Sequence, residues 1–266
     1  MPTVKVGDIK MYYEVHGGGQ PLLLIMGLGS DSSGWMLQTM EFSKSYQVIV
    51  FDNRGVGRTD APDIPYSAKM MADDTAGLME AIGIKEAHVL GMSLGGFIAQ
   101  ELAINHPKRV KSLVLATAGA SMPPRTKQIE STWAVAAKEG ISRRTLLNLQ
   151  APFLFTENLF QMPDFLNMFI EGMAANPYPP PPHGFARQVE ACVEHDTRGR
   201  LGRIAAPTLV LVGREDLLLP VRVSEELASG IPGAKLVVLE GGGHGFNGEI
   251  ADKFNKAVLD FLSHVA

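Results

Sequence analysis

The sequence predicts an α/β protein: a mainly parallel, doubly wound sheet that begins with an antiparallel hairpin and is interrupted by a helical insertion. Three observations predict it. Short apolar runs, each stopped by Gly or Asp, recur along the 266 residues, as strands covered on both faces do. Helical periodicities lie between several of them, the alternation that yields parallel strands joined by crossover helices. Residues 120–202 break that rhythm.

Taken in order, "TVKVGDIKMYYEVHG" alternates in part and runs into the turn residues "HGGGQP", which reads as the hairpin. The buried strands expected next are "PLLLIMG" (21–27), "YQVIVFDNRG" (46–55), "AHVLGMS" (87–93), "VKSLVLATAG" (110–119), "PTLVLVGRED" (207–216) and "AKLVVLEGGGHG" (234–245). Helices are expected in "SAKMMADDTAGLMEAIGI", capped by Ser67, in "LGGFIAQELAINHPKRV", ended by a proline and a basic turn, and in "GEIADKFNKAVLDFLSHV", apolar at every third or fourth residue. Ligands of such a sheet lie beyond the carboxyl ends of its strands. The insertion carries several short amphipathic patterns and the rigid run "NPYPPPPHG", whose prolines 179 to 182 read as an extended connector between helices of a cap, or else as a surface loop unrelated to substrate. A chain of this length can form one α/β domain: residues 1–266, with 1–119 and 203–266 as core and 120–202 as helical cap.

Composition narrows the function. An apolar fraction of 45% with 20% charged residues is that of an ordinary globular protein. A net charge of −4 and no dense Lys/Arg run argue against nucleic acid as a partner. No eighteen uninterrupted apolar residues occur and the first residues lack a charged segment followed by an apolar one, so the expectation is a cytoplasmic chain without a membrane partner. The single cysteine, Cys192, rules out an internal disulfide and a multi-cysteine zinc site. Its acidic neighbours in "EACVEHD" argue against an activated thiol. There is no H-E-x-x-H, Walker lysine motif or dinucleotide glycine pattern, so neither metal nor organic cofactor is expected.

The stretch that carries chemistry is "HVLGMSLGG", residues 88–96. A strand, a sharp turn and a helix give Gly-x-Ser-x-Gly its mechanism: the serine stands exposed at the tip while its neighbours at −2 and +2 are pressed against strand and helix. Gly91 and Gly95 fill those positions around Ser93, and Gly96 lets the helix start close to the strand. A serine hydroxyl needs a base within hydrogen-bond reach, oriented in turn by a carboxylate. Of seven histidines, His16, His88, His106 and His264 read as surface or packing residues, and His183 and His195 as solvated residues of the insertion. His244, in the glycine loop after the last strand, lies on the same edge as Ser93. Asp216, ending the preceding strand, is the expected carboxylate; Asp52 more simply anchors a turn with Arg54, and Glu240 falls short of the loop. Two backbone donors are needed for a developing oxyanion. These are the N–H of Leu94, after the serine, and that of Leu28 in the Gly27–Gly29 loop, or a neighbour if that loop is only a tight turn.

The segments "LLLIMGLGSDSSGW", "VIVFDNRGVGRTDAP", "AHVLGMSLGGFIAQELA", "APTLVLVGREDLLLPV" and "LVVLEGGGHGFNGE" together resemble the α/β-hydrolase superfamily across nearly the whole chain. The resemblance is to the branch with 3-oxoadipate enol-lactonases, small carboxylesterases, C–C bond hydrolases and cofactor-free haloperoxidases. It implies the α/β-hydrolase fold and the order nucleophile, acid, base as Ser93, Asp216, His244. Two departures stand out: Met26 replaces the histidine often found before the oxyanion-loop glycine, and Leu94 replaces the methionine that many haloperoxidase-like members carry after the serine.

The activity expected is hydrolysis of small to medium hydrophobic carboxylic esters through an acyl-enzyme. The insertion holds half of the chain's twelve phenylalanines; Phe153, Phe155 and Phe169 are the candidate pocket rings, though such rings also serve to glue helices to a core. The rival activity is an enol-lactonase or C–C hydrolase acting on a carboxylate-bearing substrate, which would need a cation from Arg125, Arg143, Arg144 or Arg187. A slow-turnover signalling protein on the same scaffold is the alternative from another class. The partner expected is therefore a small-molecule ester or lactone, with homo-oligomerisation left open.

Overall fold

The computed structural model describes residues 2–265. Their sheet has eight strands: β1 (Thr3–Val6), β2 (Ile9–His16), β3 (Gln20–Ile25), β4 (Tyr46–Phe51), β5 (Ala87–Met92), β6 (Val110–Ala116), β7 (Thr208–Gly213) and β8 (Lys235–Leu239). Their spatial order is β1-β2-β4-β3-β5-β6-β7-β8. β2 pairs antiparallel with both β1 and β4, and every later pairing is parallel. The hairpin and the α/β-hydrolase sheet expected from sequence are both present.

Alternation along each strand sorts side chains between two cores. Leu23, Ile25 and Val89 face one layer, under α2 (Ala68–Ala81) and α3 (Leu94–Asn105). Leu22, Leu24 and Leu90 face the other, under α1 (Met36–Phe42) and the C-terminal helix. All six are fully buried; each such side chain contributes about 1.5–3 kcal/mol relative to exposure. Ser67 caps α2 by accepting from the Met70 amide at 3.1 Å, as its place before an apolar-periodic run predicts.

Between β6 and β7 the chain forms five helices: α4 (Pro124–Lys138), α5 (Arg143–Leu154), α6 (Glu157–Phe160), α7 (Pro163–Ala174) and α8 (Pro182–Glu194). α9 (Val221–Gly230) joins β7 to β8, and α10 (Phe246–Glu249) and α11 (Ala251–His264) follow. Among the described residues no helix is long and apolar enough to cross a membrane.

Several expectations need correction. β8 is half-buried rather than covered on both faces, because it closes the sheet as an edge strand. The last helical pattern breaks at Ile250, whose φ of −130° separates α10 from α11. Asp52 does not pair with Arg54; it accepts from the Ser32 and Arg58 amides, both at 2.8 Å, and from the Arg58 guanidinium. Arg54 turns to Asp74 and Asp8 instead. His195 is buried rather than solvated, its ring stacked on Phe97 at 4.3 Å between centroids.

The strand register matters most for function. Ile25 lies beside Gly91, Met92 beside Ala116, Ala116 beside Leu211, and Gly213 beside Leu239. Five strands therefore end together, and the loops that leave them converge on one edge.

Candidate active site

Ser93 sits between β5 and α3 with φ 55° and ψ −121°. Positive φ is rare for a residue with a side chain and costs on the order of 1–3 kcal/mol, so the surroundings must enforce it. They do so by contact: a Cβ on Gly91 would lie 2.1 Å from the Gly95 carbonyl oxygen, and one on Gly95 would lie 2.0 Å from that of Ile25. The Ser93 amide donates to Ala116 O at 3.0 Å, and its carbonyl accepts from Gly96 N at 2.8 Å.

His244 leaves the β8 edge on a loop held at several points. The Glu215 amide donates to Gly242 O at 3.0 Å, Gly245 N donates to Leu154 O at 2.7 Å, and Gly243 N donates to Glu249 at 2.9 Å. The result is a continuous chain of three side chains. His244 Nε2 lies 3.0 Å from Ser93 Oγ, and His244 Nδ1 lies 2.9 Å from Asp216 Oδ2 and 3.1 Å from Oδ1. A carboxylate facing Nδ1 keeps the proton there and leaves Nε2 free to accept from the serine. Asp216 Oδ1 accepts from the Leu218 and Leu219 amides, both at 2.9 Å, which fixes the carboxylate. Burial lowers the pKa of His244, but the charge and hydrogen bond of Asp216 and the charge of Glu130 outweigh it, leaving a net rise.

Sequence reasoning passed over three side chains at this site. Thr117, after β6, has φ 43°, an outlier for a β-branched residue. Its hydroxyl donates to Asp216 Oδ2 and lies 3.0 Å from His244 Nδ1. Its only sequence signal is its place at the end of a central strand. Gln188, fully buried on α8, accepts from Gly29 N at 2.9 Å and donates to Arg54 O at 2.8 Å. Asn53 donates to Met26 O at 2.9 Å. Together these two amide side chains hold Met26 and the Gly27–Gly29 loop that follows it.

That loop lies against the serine: a Cβ on Gly27 would be 3.2 Å from Ser93 Cβ and 3.7 Å from its Oγ. The Leu94 N–H opens α3 and has no intrahelical acceptor, and among the described residues the Leu28 N–H has no acceptor either. Leu28 also packs with Trp133, Phe153, Phe185 and Leu218 in an apolar cluster contributed largely by α4, α5 and α8. Phe153 meets Trp133 edge-on at 5.8 Å, and the Phe155 ring packs on Gly245 beside His244. Phe169 stands at the surface, 36% exposed, and reaches this group only through its edge contact with Phe155.

Of the four candidate arginines, Arg144 pairs with Glu171, Arg187 with Asp63 and Glu190, and Arg125 donates to Leu217 O. Arg143 differs. It is half-buried with no carboxylate at ion-pair distance among the described residues, and its Nε donates weakly to Met173 O at 3.4 Å. Burial lowers its pKa against the opposing charge of Asp31. Among the described residues no group of three or more His, Cys, Asp or Glu could hold a metal ion.

The profile of the family described as "alpha/beta hydrolase fold" matches residues 20–249. A protein of Azorhizobium caulinodans named "Putative carbamate hydrolase RutD" is 32% identical over all of this chain and 99% of its own. Among solved structures, the enol-lactonase from Burkholderia xenovorans LB400 superposes with a TM-score of 0.89 at 30% identity, covering 98% of this chain and 100% of its own. A malate-bound thermophilic esterase from Thermogutta terrifontis gives 0.88 at 28% identity, covering 100% and 99%. With its sheet order and a family match over most of its length, the chain belongs to the alpha/beta hydrolase fold family and is a hydrolase.

Proposed function

We propose that the protein hydrolyses small to medium hydrophobic carboxylic esters, with Ser93 as nucleophile, His244 as general base and Asp216 as the carboxylate that orients it. His244 Nε2 takes the Ser93 proton as Oγ attacks the carbonyl carbon, and the tetrahedral oxyanion accepts from the Leu28 and Leu94 amides. The C–O bond to the alcohol then breaks as the imidazolium returns its proton to the leaving oxygen. Water, deprotonated by His244, attacks the acyl-enzyme; the acyl C–Oγ bond breaks as the imidazolium returns the proton to Ser93 Oγ, and the acid leaves. Helices α4 to α8 act in this reading as a cap, whose Trp133, Phe153 and Phe185 give the acyl group an apolar roof.

One observation carries the reading: Oγ, Nε2, Nδ1 and a doubly amide-held carboxylate form an unbroken line of contacts of 2.9–3.0 Å, buried from bulk water. The test is an acyl-chain series of p-nitrophenyl esters on wild type and Ser93→Ala. Wild type should turn over short and medium chains, and losing the nucleophile should lower turnover on the order of a millionfold. A folded wild type that leaves the whole series intact refutes the ester reading.

A second reading has its own support. Arg143 carries a half-buried guanidinium with no acidic partner, which suits a substrate that brings a carboxylate, such as an enol-lactone or a C–C cleavage substrate. Arg143→Met should then raise KM for a carboxylate-bearing lactone while leaving KM for a neutral ester of equal size in place.

A further inference from the structure

The inward face of α4 holds Thr126, Glu130, Trp133, Ala134 and Ala137, residues three and four apart. Thr126 donates to Leu218 O at 2.5 Å, and the Leu218 amide donates to Asp216, so the start of the helix rests on the loop of the acid. Trp133, one turn beyond Glu130, packs with Leu28 and Phe185 in the cluster beside the Gly27–Gly29 loop. Glu130 lies between these two anchor points on the same helix face.

Its carboxyl is 3% exposed, and Oε2 has no hydrogen-bond partner. No Lys or Arg charge acts on it; the charge that does is that of His244, and the thiol of Cys192 on α8 hydrogen-bonds to the carboxyl. Burial and the Glu130 charge push the Cys192 thiol well above its usual range, so it stays a neutral S–H. Burial raises Glu130 itself to about 7, against the opposing influences of His244 and Cys192. A buried carboxyl oxygen without a donor is unfavourable, and a donor brought by a ligand would remove that penalty.

We propose that Glu130 is a specificity-determining residue of this hydrolase, its carboxyl accepting an ammonium or other N–H donor carried on the acyl group of the substrate. The inference rests on the hydrolase reading of Ser93 and names its substrate class: aminoacyl esters in preference to their alkyl counterparts. The arriving cation brings a hydrogen-bonding charge partner from outside the protein, and the N⁺–H···O⁻ bond forms away from bulk water, where such bonds are strongest. An oxygen without a donor and the lack of a Lys or Arg partner among the described residues distinguish Glu130 from a structural ion-pair residue.

The test compares methyl 3-aminopropanoate with methyl butanoate, which differ by an ammonium in place of a terminal methyl, on wild type, Glu130→Gln and Glu130→Leu. The ratio of kcat/KM for the amino ester over the alkyl ester should fall by about tenfold or more in Glu130→Leu. It should fall by a smaller factor in Glu130→Gln, which keeps the shape and guards against a Leu variant that does not fold. In parallel, thermal shifts of Ser93→Ala with each ester report binding without turnover. A kcat/KM ratio unchanged in both Glu130 variants overturns the assignment, and so does the absence of a preference for the amino ester in Ser93→Ala. Wild type inert to both esters, with Ser93→Ala still stabilised only by the amino ester, upholds Glu130 while sinking the ester reading.

Discussion

Replacing Gly95 by alanine tests how far the serine turn and the loop proposed to hold the oxyanion are one mechanical unit. The added Cβ would stand 2.0 Å from Ile25 O, 2.6 Å from Ile25 C and 2.9 Å from Met26 O. All three are backbone atoms, so no rotamer change relieves the overlap. An ordinary non-bonded approach is about 3.5 Å, so the first turn of α3 and the end of β3 must part by roughly 1.5 Å. Overpacking of this kind costs about 1–3 kcal/mol of stability, measurable by urea unfolding. The parting segments carry the Leu94 and Leu28 amides. Displacing one oxyanion donor costs about 10²–10³ in kcat, and that fall, with a smaller change in KM, is the expected kinetic outcome on a short ester. Gly96→Ala is the control. Its Cβ would meet the Ala118 side chain at 2.6 Å and not the oxyanion loop, so it should lose stability without a comparable loss of turnover. A Gly95→Ala enzyme with wild-type kcat, or equal kinetic losses in the two variants, would refute the coupling.

Three further outcomes follow from the same coordinates. Gln188→Leu strips partners from the Gly29 amide and the Arg54 carbonyl; it should destabilise by about 1–3 kcal/mol for each buried group left unpaired and lower kcat, and unaltered kcat would show that the loop does not depend on this tie. Because the pKa of His244 is raised and the base must be neutral to act, kcat/KM on an uncharged ester should rise with pH through a midpoint above that of an ordinary histidine, and Glu130→Gln should move that midpoint down; a midpoint at or below about 6.5 contradicts this. His88 and His195 are held neutral by burial, each down to about 4; their folded values lie below the unfolded one, so the stability they confer is present above about 6.5 and is lost as pH falls towards 4, by up to about 3 kcal/mol each. Urea midpoints across that window should flatten in His88→Gln/His195→Phe, and an unchanged slope would assign the acid loss elsewhere.

The sheet was legible because its signals are local. A run such as "TLVLVG" is buried at every position of β7, and the glycines around Ser93 mark the one place where α3 presses on both β5 and β3. The three candidate side chains of the site could be picked from loops at strand ends because parallel strands in register end together. Where sequence reasoning slipped, a local choice was settled by distant partners. Asp52 and Arg54 are two residues apart and read as a pair, yet each finds its charge partner elsewhere: Arg58 for the first, Asp74 and Asp8 for the second. His195 read as solvated because its neighbours are charged, but Phe97 from α3 covers its ring.

Helices α4 to α8 mark the point at which sequence reading gives out, for a physical reason. A strand-end loop inherits its position from the sheet, whereas a residue on these helices acquires its role only when the helix face docks. Glu130 follows "RTKQI" in a polar stretch and reads as a solvated charge; it is buried because Thr126 and Trp133, on the same face, are anchored to the Leu218 loop and to the apolar cluster. Gln188 is likewise one polar residue among several on α8 until its amide spans Gly29 and Arg54, 159 and 134 residues away in sequence. The division has a functional consequence. The groups proposed to carry the chemistry sit on the sheet edge, where pattern fixes them, while those proposed to choose the substrate, Glu130 and Arg143, sit on docked helices, where a single substitution can alter specificity and leave the contacts among Ser93, His244 and Asp216 in place. Exchanging Glu130 should therefore change which ester is preferred, while exchanging Gly95 should slow every ester alike.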